Sequence, residues 1–391
     1  MRLCAVKDVD EGMVLGKSLY EVNGKLLLGA GFRINDLMKT KLISRKYTHV
    51  YIMEEGTDDI VPEDVISDEI KMQAKLELAS GVSEIQKQAS FQKVSSTKAK
   101  ELIKNGYLKN VNVTMSMTNV VDDILKDISS AGANFAKMVM IKSEESYFFD
   151  HACNTAVLAI LIGKKYRFSK DELKSLALGT FLHDIGKKVT EQIKDSDPNA
   201  AASDLYNEHP TFGYLLLDNS GGKISPMETQ IVNQHHELQD GSGFPIGLKG
   251  NNQPPVKTVN TDSKGRIYRL AEICCVVNAF DNMVYNPTKS KQLSQGQALK
   301  QMILDSGRLY NKNVVQTLLK VVPYYPVGIS VKVINIIDPL LIGYLGVVAK
   351  INEQNINKPV IVLIKDKFQK RIKPIILDTS KLKHVDLEVM I

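Results

Sequence analysis

Phe181-Leu182-His183-Asp184-Ile185-Gly186-Lys187-Lys188 reads as the end of a buried helix that carries a titratable pair. Ser169 followed three residues on by Glu172 is a capping box, and Leu173, Leu176, Ala177 and Thr180 then recur at helical spacing until Gly186 breaks the pattern. Seven residues beyond Leu176 and Ala177 the same periodicity lands on His183 and Asp184, on the face that should be apolar. A buried imidazole beside a buried carboxylate is costly unless each has a partner, and a shared metal ion is one such partner.

The device recurs downstream. Ser225-Pro226-Met227-Glu228 is a second capping box with proline at the first helical position, and Ile231 and Val232 point four residues on to His235 and His236. Five of the seven histidines (His151, His183, His209, His235 and His236) fall between residues 151 and 236. Histidines gathered on several separate helices are the mark of a metal site assembled in a bundle core. His49 and His384 stand apart and read as satisfied core residues.

The chain of 391 residues is long enough for two or three domains, and its 43% hydrophobic content suits a full core. A net charge of +6, from 50 basic and 44 acidic residues, is too balanced to argue for a nucleic-acid polymer or a membrane surface, yet would not repel an anionic substrate. The N-terminal residues lack an apolar core of signal-peptide length. The longest apolar run, Ala156 to Ile162, falls far below the roughly 18 residues that span a bilayer, so a soluble cytoplasmic protein is expected. Cys4, Cys153, Cys274 and Cys275 show no metal-binding spacing and read as reduced, buried thiols.

The expected fold is mostly α, a helical bundle flanked by two small β modules. Residues 1–56 alternate short apolar runs with turns, including the hairpin signal Asn23-Gly24. Residues 57–106 read as an acidic linker, solvated over 54–69, followed by an amphipathic helix. Its stripe of Ile70, Ala74, Leu78, Val82, Ile85 and Ala89 either docks on the core or pairs with a second subunit as a homodimer. Helical patterning fills 107–322, with one helix opening at His209-Pro210. From 323 the β-branched runs 329–336, 345–351 and 359–364 predict strands of a C-terminal module spanning 323–391.

The residue types narrow the chemistry. A mixed His/Asp set suits Mn, Fe or Zn, and the lack of cysteine ligands argues against a purely structural zinc site. An aspartate beside a histidine ligand can bridge two ions, and a pair about 3.5–4 Å apart would hold a hydroxide for in-line attack on phosphorus. Lys187 reads either as a solvated helix-end lysine or as a clamp on phosphate. In the loop Asp240-Gly241-Ser242-Gly243-Phe244-Pro245 the glycines permit close backbone approach, Pro245 fixes the exit and Phe244 offers a flat face for a base.

His183-Asp184-Ile185-Gly186-Lys187, then His209-Pro210, then His235-His236-Glu237 with Asp240-Gly241-Ser242-Gly243-Phe244-Pro245, resembles the HD-GYP family of bacterial cyclic di-GMP phosphodiesterases. The likeness covers roughly residues 140–320. It implies a helical HD-type bundle, a two- or three-metal centre, usually of iron or manganese, with Tyr147 pointing to two divalent metal ions here, and hydrolysis of cyclic di-GMP to the linear dinucleotide or to GMP, with signalling proteins as further partners. By position, His151, His183, Asp184, His209, His235 and His236 would be ligands, with Asp184 bridging. Lys187 would hold substrate phosphate, and the 240–245 loop would line the substrate.

Five features depart from the family pattern. Asn278 stands where the resemblance expects an aspartate ligand, so either Asn278 serves or Asp281 takes its place on the same helical face. Tyr147 stands where three-metal members carry a glutamate, Phe244 replaces the tyrosine of the family name, and Val284-Tyr285-Asn286-Pro287 replaces an arginine-bearing segment. Asp195–Ala202 replaces a lysine-glycine stretch. The alternative these departures raise is a degenerate relative that binds a nucleotide or a partner protein and signals without turnover.

Overall fold

Apolar stripes and end signals set the element boundaries throughout the chain. The structure, a computed structural model, describes residues 1–390 apart from 92–93, 112, 133, 139–140, 142, 194–201, 220–223, 258–264 and 288–291. The Asp195–Ala201 stretch therefore lies outside the described residues.

The N-terminal part holds β1 (Arg2–Ala5), β2 (Val14–Leu15), β3 (Leu19–Tyr20), β4 (Leu26–Leu28), α1 (Asp36–Ser44) and β5 (His49–Met53). β5 lies between β1 and β2, antiparallel to both, with Leu3 opposite Tyr51 and Leu15 opposite Ile52. The Asn23-Gly24 signal does close a hairpin between β3 and β4, with Gly24 at φ +82 where a side chain would be strained. Helix α1 was not expected. Leu42 is its only buried residue, so it shows no apolar stripe, and its end is set instead by the Asn35 side chain accepting the Met38 N–H at 2.9 Å.

The helical body contains α2 (Asp68–Gln88), α3 (Ser96–Lys104), α4 (Thr114–Ser130), α5 (Tyr147–Lys165), α6 (Lys170–Phe181), α7 (Gly186–Thr190), α8 (Ala202–Asn219), α9 (Pro226–Gln234), α10 (Arg269–Val284), α11 (Gln295–Asp305) and α12 (Lys312–Leu318). α5 is buried on every side from Asp150 to Gly163, which makes it the central helix of the bundle. Each of Leu158, Ile160, Leu161 and Ile162 within it contributes about 1.5–3 kcal/mol by leaving water. One apolar core runs from Val65 to Val322 and takes in Ala74, Leu78, Val82, Ile85 and Ala89 of the α2 stripe. That stripe packs on α4, α5 and α7 of its own chain, so it is not the face for a homodimer. The expectation of a solvated 54–69 linker fails for the same reason: Thr57, Ile60, Val65 and Ile66 are buried against the body and the C-terminal sheet.

The C-terminal module is an antiparallel sheet of β6 (Ser330–Ile336), β7 (Leu345–Lys350), β8 (Val360–Lys365), β9 (Arg371–Asp378) and β10 (Val385–Met390), ordered β10-β6-β7-β8-β9. The first three match the expected runs. The two unforeseen strands form the edges of the sheet, where β9 is largely exposed and carries Pro374, a residue tolerated only at an edge. All four cysteines are buried free thiols, as expected. No helix among the described residues is long and apolar enough to cross a membrane.

Candidate metal centre

Both capping boxes form. Ser169 and Glu172 start α6, Ser225 and Glu228 start α9, and each helix runs to its end just before a pair of site residues. α6 stops at Phe181, short of the expected end at Gly186, so His183 and Asp184 sit on the turn that leads into α7 and not on the helix itself. The loose end is useful, because the last carbonyls of a helix have no partner within it. His183 donates its Nδ1–H to the Thr180 carbonyl at 2.6 Å, and His235 donates to the Val232 carbonyl at 2.7 Å.

His209 reaches the same geometry by another route. α8 begins at Ala202, so Pro210 lies inside the helix and does not open it. Proline has no N–H to give to the carbonyl four residues back, which leaves the Tyr206 carbonyl free. The Nδ1–H of His209 takes it at 2.6 Å. In three of the histidines a helix thus supplies a carbonyl at i−3 that fixes the proton on Nδ1 and turns a bare Nε2 inward.

These nitrogens converge on Asp184. His209, His183 and His235 place Nε2 at 3.2, 3.5 and 3.6 Å from Asp184 Oδ1, and His151 Nε2 lies 3.8 Å from Oδ2. Asp184, His209, His235 and His236 form one cluster of donor atoms, and Asp184, His151 and His183 form another. Asp184 is common to both, the position of a bridge.

The donor set fits cations and little else. His209 and His235 oppose Nε2 to Nε2 at 3.1 Å, and His151 and His183 do so at 3.2 Å. Among the described residues, Asp184 Oδ1 and His236 Nε2 are buried without a hydrogen-bond partner. Burial pushes His183 and His236 well below the usual imidazole range and His235 down to about 4, so these rings are neutral. Burial alone would raise the Asp184 carboxyl, but Lys187 and the surrounding imidazoles hold it well below the usual carboxylate range. Bare lone pairs facing one another around a buried anion repel, and positive charge placed between them removes the penalty.

On the opposite wall α10 places Asn278 and Asp281 on different sides of His151. Asn278 Oδ1 lies 3.1 Å from His151 Nε2, whereas Asp281 stands behind that ring, 2.7 Å from Nδ1, with its other oxygen accepting from Asn154 at 3.2 Å. Of the two candidates that the sequence offered, Asn278 thus lies on the Nε2 side of His151 and Asp281 on its Nδ1 side. Asn282 and Tyr147 complete this wall. Asn282 donates to Asn278 Oδ1 and accepts from the Tyr147 hydroxyl, each at 2.5 Å, while the Tyr147 ring stacks on His151.

The 240–245 loop is placed by its neighbours. Buried Glu237 accepts the N–H groups of Ile246 and Leu248 at 2.8 and 2.7 Å. A side chain on Gly243 would sit 2.4 Å from the His236 carbonyl, so only glycine lets the loop pack this closely. Asp240 is exposed and accepts from both the N–H and the hydroxyl of Ser242, closing a turn with Gly241 at φ +85. Phe244 lies flat on His236, centroids 4.4 Å apart at 18°, and Pro245 follows it. One face of Phe244, read from sequence as open to a base, is thus a buttress for His236.

Lys187 lies 2.5 Å from Asp184 Oδ2, partly exposed at the mouth of the site. Tyr206, unremarked in the sequence, touches Lys187, His209, His236 and Phe244. Its contribution is a carbonyl and a ring placed by helix geometry, and the pairing of Pro210 with a histidine one residue earlier was the signal that could have revealed it.

A model of the HD domain matches residues 136–314. A Pseudomonas aeruginosa protein named a cyclic di-GMP phosphodiesterase is 24% identical over 63% of this chain and 55% of its own length. A Xanthomonas campestris pv. campestris protein, named the cyclic di-GMP phosphodiesterase response regulator RpfG, is 27% identical over 42% of this chain and 40% of its own. A Vibrio cholerae protein named 3'3'-cGAMP-specific phosphodiesterase 2 is 23% identical over 55% of this chain and 38% of its own. The match therefore spans little more than half, or less, of each relative. Among solved structures, an HDG"Y"P protein from Bdellovibrio bacteriovorus aligns over 81% of this chain and 97% of its own at 16% identity, with a TM-score of 0.38.

Proposed function

We propose that this chain, which belongs to the HD-GYP family, is a metal-dependent phosphodiesterase that hydrolyses a cyclic dinucleotide, cyclic di-GMP first among them. The observation that carries the reading is Asp184 shared between two clusters of inward-facing imidazoles. His209, His235 and His236 with Asp184 would hold one divalent ion, iron or manganese, and His151, His183 and Asn278 with Asp184 the other. Such a pair supplies Lewis acidity and lowers the pKa of water.

The chain's own residues supply the rest. The imidazoles of His183, His209 and His235, each fixed by its Nδ1–H, offer Nε2 lone pairs without rearrangement. Lys187 contributes positive charge against the negative charge that a phosphoryl group gains on attack, and Phe244 with the 240–245 loop forms the wall against which the nucleotide lies. Tyr147, stacked on His151, stands where the family resemblance expects a glutamate in three-metal members, in keeping with a two-metal centre.

The test is incubation of Mn- or Fe-loaded protein with cyclic di-GMP and with 3'3'-cGAMP, followed by chromatography. Chelator-sensitive appearance of linear dinucleotide or mononucleotide is expected, and survival of both substrates intact rejects the proposal. The neutral Asn278 favours one second reading, a non-hydrolysing nucleotide sensor. It predicts calorimetric binding of cyclic di-GMP without product.

Two substitutions separate the roles. Lys187→Ala is expected to keep metal content and lose about 100–1000-fold in kcat, the range for removing one group that stabilises transition-state charge; metal loss in this variant contradicts the assignment. Asp281→Ala removes the acceptor that holds His151 by Nδ1, and metal affinity is expected to fall about 10–100-fold. An unchanged metal titration would show that His151 needs no orienting carboxylate.

A further inference from the structure

We propose that Tyr206 is a positioning residue for Lys187, its ring holding the ammonium at the mouth of the centre where a phosphoryl oxygen is met. The inference rests on the reading of Lys187 as the phosphate-binding group. Nothing in the motif resemblance points to position 206.

Lys187 has two anchors. One is Asp184 Oδ2 at 2.5 Å, and the other is the Tyr206 ring, whose centroid lies 5.4 Å from Nζ, within cation–π range. The ring is itself held. Its backbone carbonyl is fixed by His209 at 2.6 Å, and its centroid lies 5.2, 6.0 and 6.1 Å from those of His209, His236 and Phe244. Despite these neighbours Tyr206 is 48% exposed, so burial of apolar surface does not explain why a large aromatic residue stands here.

The two anchors respond differently to a working centre. Asp184 belongs to both donor clusters, and a carboxylate whose charge is shared with cations holds an ammonium less strongly. The ring keeps its attraction, because its quadrupole is not a ligand. Lys187 carries a flexible four-carbon stem, and without the ring its ammonium would sample the solvent at the rim. The hydroxyl of Tyr206 plays no part in this: what is needed is the face of an aromatic ring.

The experiment is a double-mutant cycle on the metal-loaded full chain with Tyr206→Leu, Lys187→Ala and the double variant, alongside Tyr206→Phe. Two readouts are taken: the affinity for inorganic phosphate by calorimetry, and kcat and KM for cyclic di-GMP. A cation–π contact corresponds to about 3- to 30-fold, so Tyr206→Leu is expected to weaken phosphate binding and lower kcat by that factor with metal content unchanged. Tyr206→Phe, which keeps the ring, restores most of the loss. In the Lys187→Ala background Tyr206→Leu costs nothing further, because its effect passes through the lysine.

Equal losses in both backgrounds overturn the inference, as does a Tyr206→Phe variant no better than Tyr206→Leu, or metal loss in the leucine variant. Should Tyr206→Leu fail to fold, Tyr206→Met replaces it with an unbranched side chain of high helix propensity, and the same outcomes decide. Phosphate binding with the predicted non-additivity but no turnover by the wild-type protein would reject the phosphodiesterase reading and leave this inference standing. Turnover with additive losses rejects the inference alone.

Discussion

Asp184→Asn is expected to empty the centre, lowering bound metal from about two ions per chain to less than one and turnover by at least about 1000-fold, while the fold survives. The substitution is nearly isosteric, so packing is not the reason. Asp184 Oδ1 has the Nε2 atoms of His183, His209 and His235 within 3.2–3.6 Å, and Oδ2 faces His151 and Lys187. An amide keeps the shape but removes the one negative charge that both donor clusters share. Replacing any single histidine subtracts a neutral ligand from one cluster, whereas Asp184→Asn takes the anion from both. Elemental analysis with a melting curve checks the prediction: a folded variant that still binds two ions would mean that Asp184 does not bridge.

Gly186→Ala is expected to be nearly as damaging by a different cause. A Cβ at residue 186 would lie 2.0 Å from the His209 carbonyl and 2.5 Å from the Gly213 nitrogen, backbone atoms that cannot rotate aside. α7 and α8 meet at this point, and relief requires α8 to move, carrying His209 away from Asp184. Overpacking costs about 1–3 kcal/mol and more against rigid neighbours, which in a chain of this size lowers Tm by about 1–4 °C or more. Metal affinity should fall with it. Gly296→Ala is the control: Gly296 lies within α11, its added Cβ finds nothing closer than 3.4 Å, and Tm should hold or rise. A Gly186→Ala protein with wild-type Tm and metal content would show that the α7–α8 contact does not set the site.

Both effects trace to features of unequal visibility in the sequence. The capping boxes before α6 and α9, the apolar stripe of α2 and the pairs His183-Asp184 and His235-His236 were legible, because each is a local rule about spacing. The choice between docking and dimerisation for the α2 stripe was not, since periodicity shows that a face is apolar but not what covers it. Asn278 and Asp281 could not be separated for a similar reason. Positions three apart share a helical face, and only the placement of His151 between them divides an inward residue from one behind it.

The start of α8 was misplaced because proline at 210 reads as a helix opening. His209 compensates for the missing N–H by taking the freed carbonyl of Tyr206, so the proline serves the site from inside the helix. Tyr206 itself escaped notice since a backbone carbonyl leaves no trace in residue type. In the flanking modules, α1 had too little buried surface to pattern, and β9 sits at an edge with most of its side chains in water. Recognition of chemistry therefore ran ahead of recognition of support: ligands are residue types, whereas the groups that aim them are largely main chain.

The central claim is a pair of divalent ions bridged by Asp184. Elemental analysis of protein purified without oxygen, expressed per chain, tests it most directly. About two ions of iron or manganese per wild-type chain, falling below one in Asp184→Asn, is the predicted result. One ion or none in the wild-type protein, or a stoichiometry unmoved by the Asp184 substitution, would contradict it.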